Sequence, residues 1–502
     1  GSYNTFIGAE AGKGGTTSAP FSSGANNTAV GYQAFDAFTT AGETTAIGYQ
    51  AGSAITTGIR NVTVGAYSGD SLTTGARNVA IGTHALGSAT TANLNVAIGQ
   101  GAMENAAASV AFEGAIAIGK DALTALNNTS ANGTIAIGYQ AGTAITSGGT
   151  NTLIGYQSGL ALTTGGNNIA IGYDSFKSAV DTCNSNISIG VQSMRYVDRG
   201  SNGSATVNGN VALGYNSLAG GDFVDQDKDL VGNIAIGKNT LDATGANAQT
   251  GTIAIGHEAL TSLTSGNKNT AIGYEAGKAM TTGEGNVAIG YQALLKANHA
   301  DADHNVAIGN GVGTELLNGY YNVLIGYNTG NTLTSGGENT IIGHNCDVAS
   351  GDNNNNIIIG NGLTATDKDN AVFIGNDTNH IENDFNADAT WNYSSDVRQK
   401  KEIEDDILGL DFINKIRPVV YKHKSPSEFP KEWSAYDADD KEPMGGDKKI
   451  HGLIAQEVKE ALDEVGTDSF GGWSEGDDGR QRVSREMFVT PLIKAVQELS
   501  SE

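Results

Sequence analysis

Proline is almost missing from most of this chain: of six in 502 residues, only Pro20 precedes residue 418. Cysteine is rarer still, Cys183 and Cys346 alone, so no disulfide framework is available. Charged residues make up 17% and aromatics 7%, the former below the usual quarter. No apolar run approaches the ~18–20 residues that span a bilayer, and no signal peptide opens the chain. Gly1-Ser2 in place of Met reads as a fragment whose original N-terminus, with any address it carried, is missing. A net charge of −25 repels phosphates and anionic lipid, so neither nucleic-acid binding nor membrane insertion is expected. Glycine is abundant instead, at 70 residues, about twice average usage.

The scarcity of charge is confined to one part. After Ser394, 40 of 108 residues are charged; before it, 43 of 394 are. Five of the six prolines (Pro418, Pro426, Pro430, Pro443, Pro491) also fall in the last part. A Gly-rich body therefore precedes an ordinary globular domain. The expected division is a shaft over 1–380, a linker over 381–394 and a terminal domain over 395–502.

The body repeats. Asn-[Thr/Val/Ile]-Ala-[Ile/Val]-Gly recurs as Asn27–Gly31, Asn95–Gly99, Asn168–Gly172, Asn269–Gly273, Asn286–Gly290 and Asn305–Gly309. Its glycine can be followed through 21 copies from Gly8 to Gly375, most often 17 residues apart. A second apolar element lies between, as in Ala54-Ile55-Thr56-Thr57-Gly58 and Ala279-Met280-Thr281-Thr282-Gly283. Seventeen residues cannot close a core alone, so each unit must stack on its neighbours. In Asn95-Val96-Ala97-Ile98-Gly99, Val96 and Ile98 share one strand face and Ala97 the other. Such alternation fits a thin solenoid with a neighbour on its second face. Glycines fit the corners, where φ is positive or chains approach closely. The recurring Asn is expected to stack along the axis, amide on amide. Twenty-one coils at the ~4.8 Å strand spacing make a rod on the order of 100 Å long. A helical reading fails for want of any 3.6-residue period.

These Asn-x-Ala-Ile-Gly units resemble the head repeats of trimeric autotransporter adhesins, a resemblance covering about residues 4–375. It implies a left-handed parallel β-roll in a three-chain assembly. The family's repeat is shorter than 17, and here Tyr often follows the glycine (Tyr32, Tyr49, Tyr139, Tyr156, Tyr173, Tyr274, Tyr291), so the cross-section is expected to differ.

The last 108 residues read as an α/β domain. Leu410, Ile413 and Ile416 have helical spacing, and Pro418 stops that helix before a strand Val419-Val420-Tyr421. Leu453-Ile454 read as a strand leading to a helix with Val458 and Leu462 on one face. Phe488, Leu492, Val496 and Leu499 form one stripe of a terminal helix that packs on itself or on partner chains.

Four blocks stand in order: Ser395-Asp396-Val397-Arg398-Gln399-Lys400; Gly409-Leu410 through Ile416-Arg417-Pro418 to Tyr421; Gly452-Leu453-Ile454-Ala455-Gln456-Glu457-Val458; and Pro491 to Leu499. They resemble the endosialidase-type intramolecular chaperone domain at the ends of phage tail fibres and tailspikes, an auto-cleaving serine peptidase domain. The resemblance implies cleavage of the Ser394–Ser395 bond, with Ser395 as nucleophile and Lys400 as its base. The chemistry is sound: a serine hydroxyl needs a base, and burial can lower a lysine pKa from ~10.4 toward ~7–8. Adjacency in one chain replaces substrate capture by local geometry. Asp396 and Arg398 are expected to fix the loop, and His451 to assist. By itself, a serine five residues before a lysine is an ordinary linker pair.

Other constellations carry less. Cys183 and Cys346 lie some ~40 Å apart at the ~4.8 Å coil spacing, beyond the ~7 Å reach of a disulfide, and read as buried thiols. Asp225-Gln226-Asp227-Lys228-Asp229 begins like a Ca²⁺ loop but has Leu230 where Gly is needed and Ile236 where Glu is needed. The eight His have no metal spacing. The longer units between Gly190 and Gly237, including Met194, Arg195, Tyr196, Arg199, Phe223 and Asp225, read as projecting loops.

The expectation is an all-β, homotrimeric solenoid shaft with a small α/β chaperone domain, without cofactor or metal. It would belong to a virion tail, assembled in the host cytoplasm, and contact other tail proteins and a host-surface receptor or glycan. No enzyme activity beyond self-cleavage in cis is expected. The alternatives are a bacterial surface adhesin with the same chaperone and a polysaccharide-degrading tailspike. The latter needs a carboxylate pair in a groove.

Overall fold

The computed structural model describes residues 1–502 except 16–21, 108–109, 180, 182, 198–205, 221–228, 245–247, 386–396, 432, 434–435, 444–446, 477–478 and 502. The chain divides into two units, Gly1–Tyr393 and Ser394–Glu502.

In the first unit each glycine-marked repeat contributes one short strand, from Thr5–Ile7, Thr28–Val30 and Thr45–Ile47 onward to Ala371–Asn376. They join one 22-stranded sheet, pairing parallel and in register: Thr5 opposite Thr28, Ile169 opposite Ile187, Ile289 opposite Ile308. The final strand, His380–Asp384, turns back antiparallel on Ala371–Asn376 and closes the ladder. The body is thus a long parallel β-solenoid. Its 21 parallel strands bound 20 intervals, of which all but the last span at least 17 residues. Gly360 to Gly375 is a 15-residue step into the closing hairpin, so there are 19 full turns where glycine counting gives 21 coils.

Strand alternation decides what goes inside. The central residue of the strand is buried in nearly every coil: Ala29, Ala46, Ala97, Ala170, Ala254, Ala307. Toward the C-terminal end it enlarges to Leu324, Ile341, Ile358 and Phe373, and there the strands lengthen to five or six residues. The flanking β-branched residues point outward, and Ile47, Ile81, Ile169 and Ile308 remain 36–39% exposed. The second apolar segment is a turn, not a strand, and drops Ile55, Leu72, Leu162 or Met280 into the interior. A third buried column follows each motif glycine by four residues, including Phe35, Leu123, Phe176, Met194 and Leu294.

Met194 is therefore a core residue rather than part of a projecting loop. Arg195 braces the buried carboxylate of Asp174 at 3.1 Å, together with Lys177 at 3.2 Å, and stacks over Tyr196. Arg199, Phe223 and Asp225 to Lys228 lie outside the described residues. The longer coils also form a second, three-stranded parallel ladder of Val207–Asn208, Leu230–Val231 and Gln249–Thr250. Cys183 and Cys346 are both buried, as expected.

The corners hold other residues besides the glycines expected there. The motif glycines do adopt positive φ, 139° at Gly138 and 140° at Gly155. Non-glycine residues turn corners as well: Asn26, Gln33 and Phe35 in one coil have φ of 61°, 51° and 55°. The left-handed region is open to these residues at a modest cost. Glycine is required where a second constraint applies. A Cβ on Gly155 would overlap the carbonyl oxygen of Gly172 one coil on, and the same holds from Gly172 to Gly190.

The buried Asn column holds the coils together. Asn305 Oδ1 accepts the backbone N–H and side-chain N–H of Asn322, both at 3.0 Å. Its own Nδ2 donates to Asn286 Oδ1 at 3.1 Å and to the Gly319 carbonyl at 2.8 Å. The relay runs Asn151, Asn168, Asn186, Asn210, Asn233 and again Asn269, Asn286, Asn305, Asn322, Asn339. A buried amide is tolerated only with such partners. Thr39, Thr56 and Thr73 form an outer relay, each hydroxyl donating to the carbonyl of the threonine, or of Thr90, one coil on.

Asn305→Ala is expected to lower stability by about 2–4 kcal/mol, because it leaves the buried Asn322 N–H and the Gly319 carbonyl without a partner. Gly155→Ala, which combines strained φ with overlap on the next coil, is expected to cost at least as much as the ~1–3 kcal/mol of backbone strain alone. Denaturant unfolding of both variants checks this; an unchanged midpoint for either contradicts the account. Asp347 offers a pH test. Burial raises its carboxyl above the ordinary range, although the N–H groups of Thr332 and Val348 donate to it. A raised folded pKa means stability is lost as pH rises through that value. Asp347→Asn should therefore remove part of that fall in a pH series of unfolding midpoints.

Candidate functional site

The second unit is built on a small aromatic core. Helix α1 (Leu410–Lys415) is followed by strand Val419–Tyr421, which pairs antiparallel with Ile450–Gly452. Leu453 and Ile454, expected as the strand, instead lead out of it into helix α2 (Ala455–Val465). A hairpin of Trp473–Glu475 and Gln481–Val483 precedes the terminal helix α3 (Val489–Ser501). Phe412, Phe470 and Phe488 meet with ring centroids 5.0–6.2 Å apart, and Leu408, Val458, Ala461 and Leu462 complete the core. Val458 and Leu462 are thus on the buried face expected of them.

The expected nucleophile lies beyond view: Ser394, Ser395 and Asp396 are outside the described residues. The described chain resumes with a single 3-10 turn, Val397–Gln399, in which the Lys400 N–H donates to the Val397 carbonyl at 3.1 Å. Arg398 and Lys400 are both exposed. His451 sits on the strand Ile450–Gly452, opposite Val420, with its side chain at a cavity of about 380 Å³. That cavity is lined by Ile413, Ile416, Pro418, Leu453, Phe488 and Leu492, with His451 and Arg485 as its polar groups; Arg398 and Lys400 do not line it. Among the described residues, no group of three His, Cys, Asp or Glu is placed to hold a metal ion. No helix among them is long and apolar enough to cross a membrane.

Helix α3 corrects the expected stripe. Phe488 turns into the core, while Leu492, Val496 and Leu499 are 47–60% exposed. The helix packs instead through Pro491 and Ala495, small enough for close approach to α1. Glu498 anchors this contact: its Oε2 accepts the Leu410 N–H at 2.6 Å, at the start of α1. Gly409 gives the carboxylate room, since any Cβ there would overlap it. Val489, Leu492, Ile493, Val496 and Leu499 consequently form an uncovered apolar face. The sequence carried a signal for this rotation in Pro491 and Ala495, the small residues of the helix. Surface ion pairs add little on the opposite side. Arg417 is held above its ordinary pKa by Glu457, and Lys415 by Asp411 first and then Glu464.

Glu498→Ala is expected to cost about 1–3 kcal/mol of the second unit's stability, the range for a charge-assisted hydrogen bond, and to free α3 to fray. Hydrogen exchange at Leu410 and along α3 reads this; unchanged protection contradicts the anchoring role. Against known proteins, no curated sequence and no solved structure gave a match. Residues 395–467 match a family model described as the chaperone of endosialidase. The match begins at the expected nucleophile and ends two residues after α2, so the fourth block, residues 491–499, lies outside it.

Proposed function

We propose that this chain is a subunit of a homotrimeric fibre or adhesive rod, and that its C-terminal unit is an assembly chaperone that cuts itself away. The observation that carries this reading is the outward column of Val and Ile along the solenoid. In a chain standing alone its members are half-buried in most coils, and Ile7, Ile47, Ile81, Ile169, Ile189 and Ile308 are more than a third exposed. Contiguous apolar surface on that scale marks an interface, and identical copies meet most simply by closed symmetry. The uncovered face of α3 supports association of copies as well, without fixing their number. Val489 and Val496 alternate with Leu492 and Leu499 at coiled-coil spacing. In long parallel coiled coils that pattern favours two strands, so stoichiometry is the quantity to measure.

A chaperone answers a specific difficulty. Parallel coils with near-identical repeats slip by whole units at little cost, and their pairing is non-local. A terminal unit that associates first would bring the chains into register before the coils propagate. Its removal leaves a fibre whose re-registration requires unfolding.

In the cleavage step, the Ser395 Oγ attacks the Ser394 carbonyl carbon. The C–O bond forms as the C–N bond breaks, with Lys400 taking the hydroxyl proton and passing it to the leaving amine. Water then opens the ester, giving a 394-residue body with a new carboxylate and a 108-residue fragment beginning at Ser395. Lys400 is exposed in the single chain, whereas a lysine that serves as a base is one shielded from water. Cleavage is therefore coupled to assembly, which would bury the lysine. On this reading the rod belongs to a virion tail, assembled in the host cytoplasm, and reaches a cell-surface receptor. A bacterial surface adhesin with the same chaperone would share these observations.

Intact-mass analysis of freshly expressed chain should yield both fragments, and Ser395→Ala and Lys400→Ala should abolish them. Sedimentation should give the mass of three copies. Leu492→Glu with Val496→Glu should reduce both assembly and cleavage. A monomer, or cleavage at full rate in a dissociated variant, overturns the coupling.

A further inference from the structure

In part of the rod a second Asx column runs outside the buried one, two residues before the buried Asn or, at the last coil, before Ala371. There a side-chain oxygen accepts a backbone N–H from the preceding coil: Asn267 from Thr250, Asp303 from Glu284, Asn354 from Gly337, Asp369 from Asn354. Other coils place different residues at this register, among them Ala25, Ile59, Gly149, Gly166 and Glu284. In one coil it holds Tyr320, whose ring cannot accept that bond, and the next coil has Gly337, where any Cβ would come within 2.9 Å of the Tyr320 ring.

The result is a cleft of about 360 Å³, lined by Asp301, Asp303, His304, Asn318, Tyr320, Tyr321 and Ser335. Tyr320 and Tyr321 stand at 85° with centroids 5.7 Å apart, and His304 lies 5.3 Å from Tyr321. Both tyrosines are exposed, at 39% and 57%. Tyrosines of successive coils often stack on one another, as Tyr139, Tyr156 and Tyr173 do at 5.1 Å, although Tyr49 meets Tyr67 edge-on. Rings meeting at a right angle instead form a corner.

We infer that this cleft binds a neutral or amino sugar. Aromatic rings carry negative faces that attract the C–H-rich side of a pyranose. Carboxylates accept hydrogen bonds from hydroxyls, while the Asn318 amide and the Ser335 hydroxyl both donate and accept. Every lining residue offers a polar atom, a ring or both, the mixture that a polyol needs and a purely apolar ligand does not. Two carboxylates with no lining lysine or arginine disfavour a uronic or sialic acid. The volume suits one or two sugar rings. This assignment deepens the adhesive reading by naming a receptor chemistry and a location, and it rests on that reading for its biological use.

The test is titration of the full chain with maltose, lactose, chitobiose, glucosamine and sialyllactose, followed by saturation-transfer NMR. At least one neutral or amino sugar should bind. Tyr321→Ala should weaken it about ten-fold or more, the loss of an aromatic contact. Tyr320→Asn should do the same while supplying at this register an amide oxygen like those of Asn267 and Asn354, so that its unfolding midpoint is not lowered. Binding that survives both substitutions, preference for sialyllactose, or no binding by any probe overturns the proposal. Sedimentation of the same samples separates the two readings: a trimer that binds no sugar removes this site alone, and a sugar-binding monomer removes only the trimer.

Discussion

Register between successive coils is the constraint on which this molecule depends. Each coil is too short to hold its own shape, so its backbone is defined by the coil before it and the coil after it. The buried Asn column enforces this, since Asn286, Asn305 and Asn322 each hold a neighbour by both main chain and side chain. The glycine column enforces it a second time through excluded volume: Gly155 and Gly172 approach too closely to admit a side chain. One column supplies attraction and the other leaves the space in which attraction operates. A slip by one residue would break both and turn the buried alanines outward.

That economy has a consequence on the outside. A strand that places Ala inward leaves its flanking Val and Ile on the outer face. The body therefore has a narrow, well-satisfied interior and an uncovered row of Val and Ile. The second unit shows the same division in helical form. Its core is closed by Phe412, Phe470 and Phe488, while α3 packs through Pro491 and Ala495 and leaves its larger residues free. The two units thus share one property, a completed core beside an unfinished surface. This is the physical ground for reading both as parts of an assembly.

Much of the architecture could be read in the chain before any coordinates. The solenoid, the stacked amides at Asn95 and Asn305, the buried thiols, α1 and its end before Pro418, and the buried Val458 and Leu462 all follow from local pattern. Errors arose where one pattern admitted two placements. Counting glycines overstated the turns, because the step from Gly360 to Gly375 is a closing hairpin. Assigning corners to glycine overlooked Asn26, Gln33 and Phe35, which accept the left-handed region when neighbouring coils hold them there. Phe488 shared helical spacing with Leu492 and Val496, but it precedes α3 in a tighter turn and points to the core. Met194 looked like part of an insertion and proved to sit in the register of Phe176.

The sequence by itself determined the repeat, its period, the inward and outward sets of each strand, and the sharp change of composition near residue 394, because these depend on residue order and a fixed side-chain alternation. Only the tertiary structure decided which apolar face of α3 was covered, which insertion residues were core, and that Tyr320, Tyr321, His304 and Asp303 surround one cleft. Those residues are brought together by stacking one coil on the next. Nothing along the chain reports proximity across coils until the neighbouring glycine, here Gly337, is seen to make room.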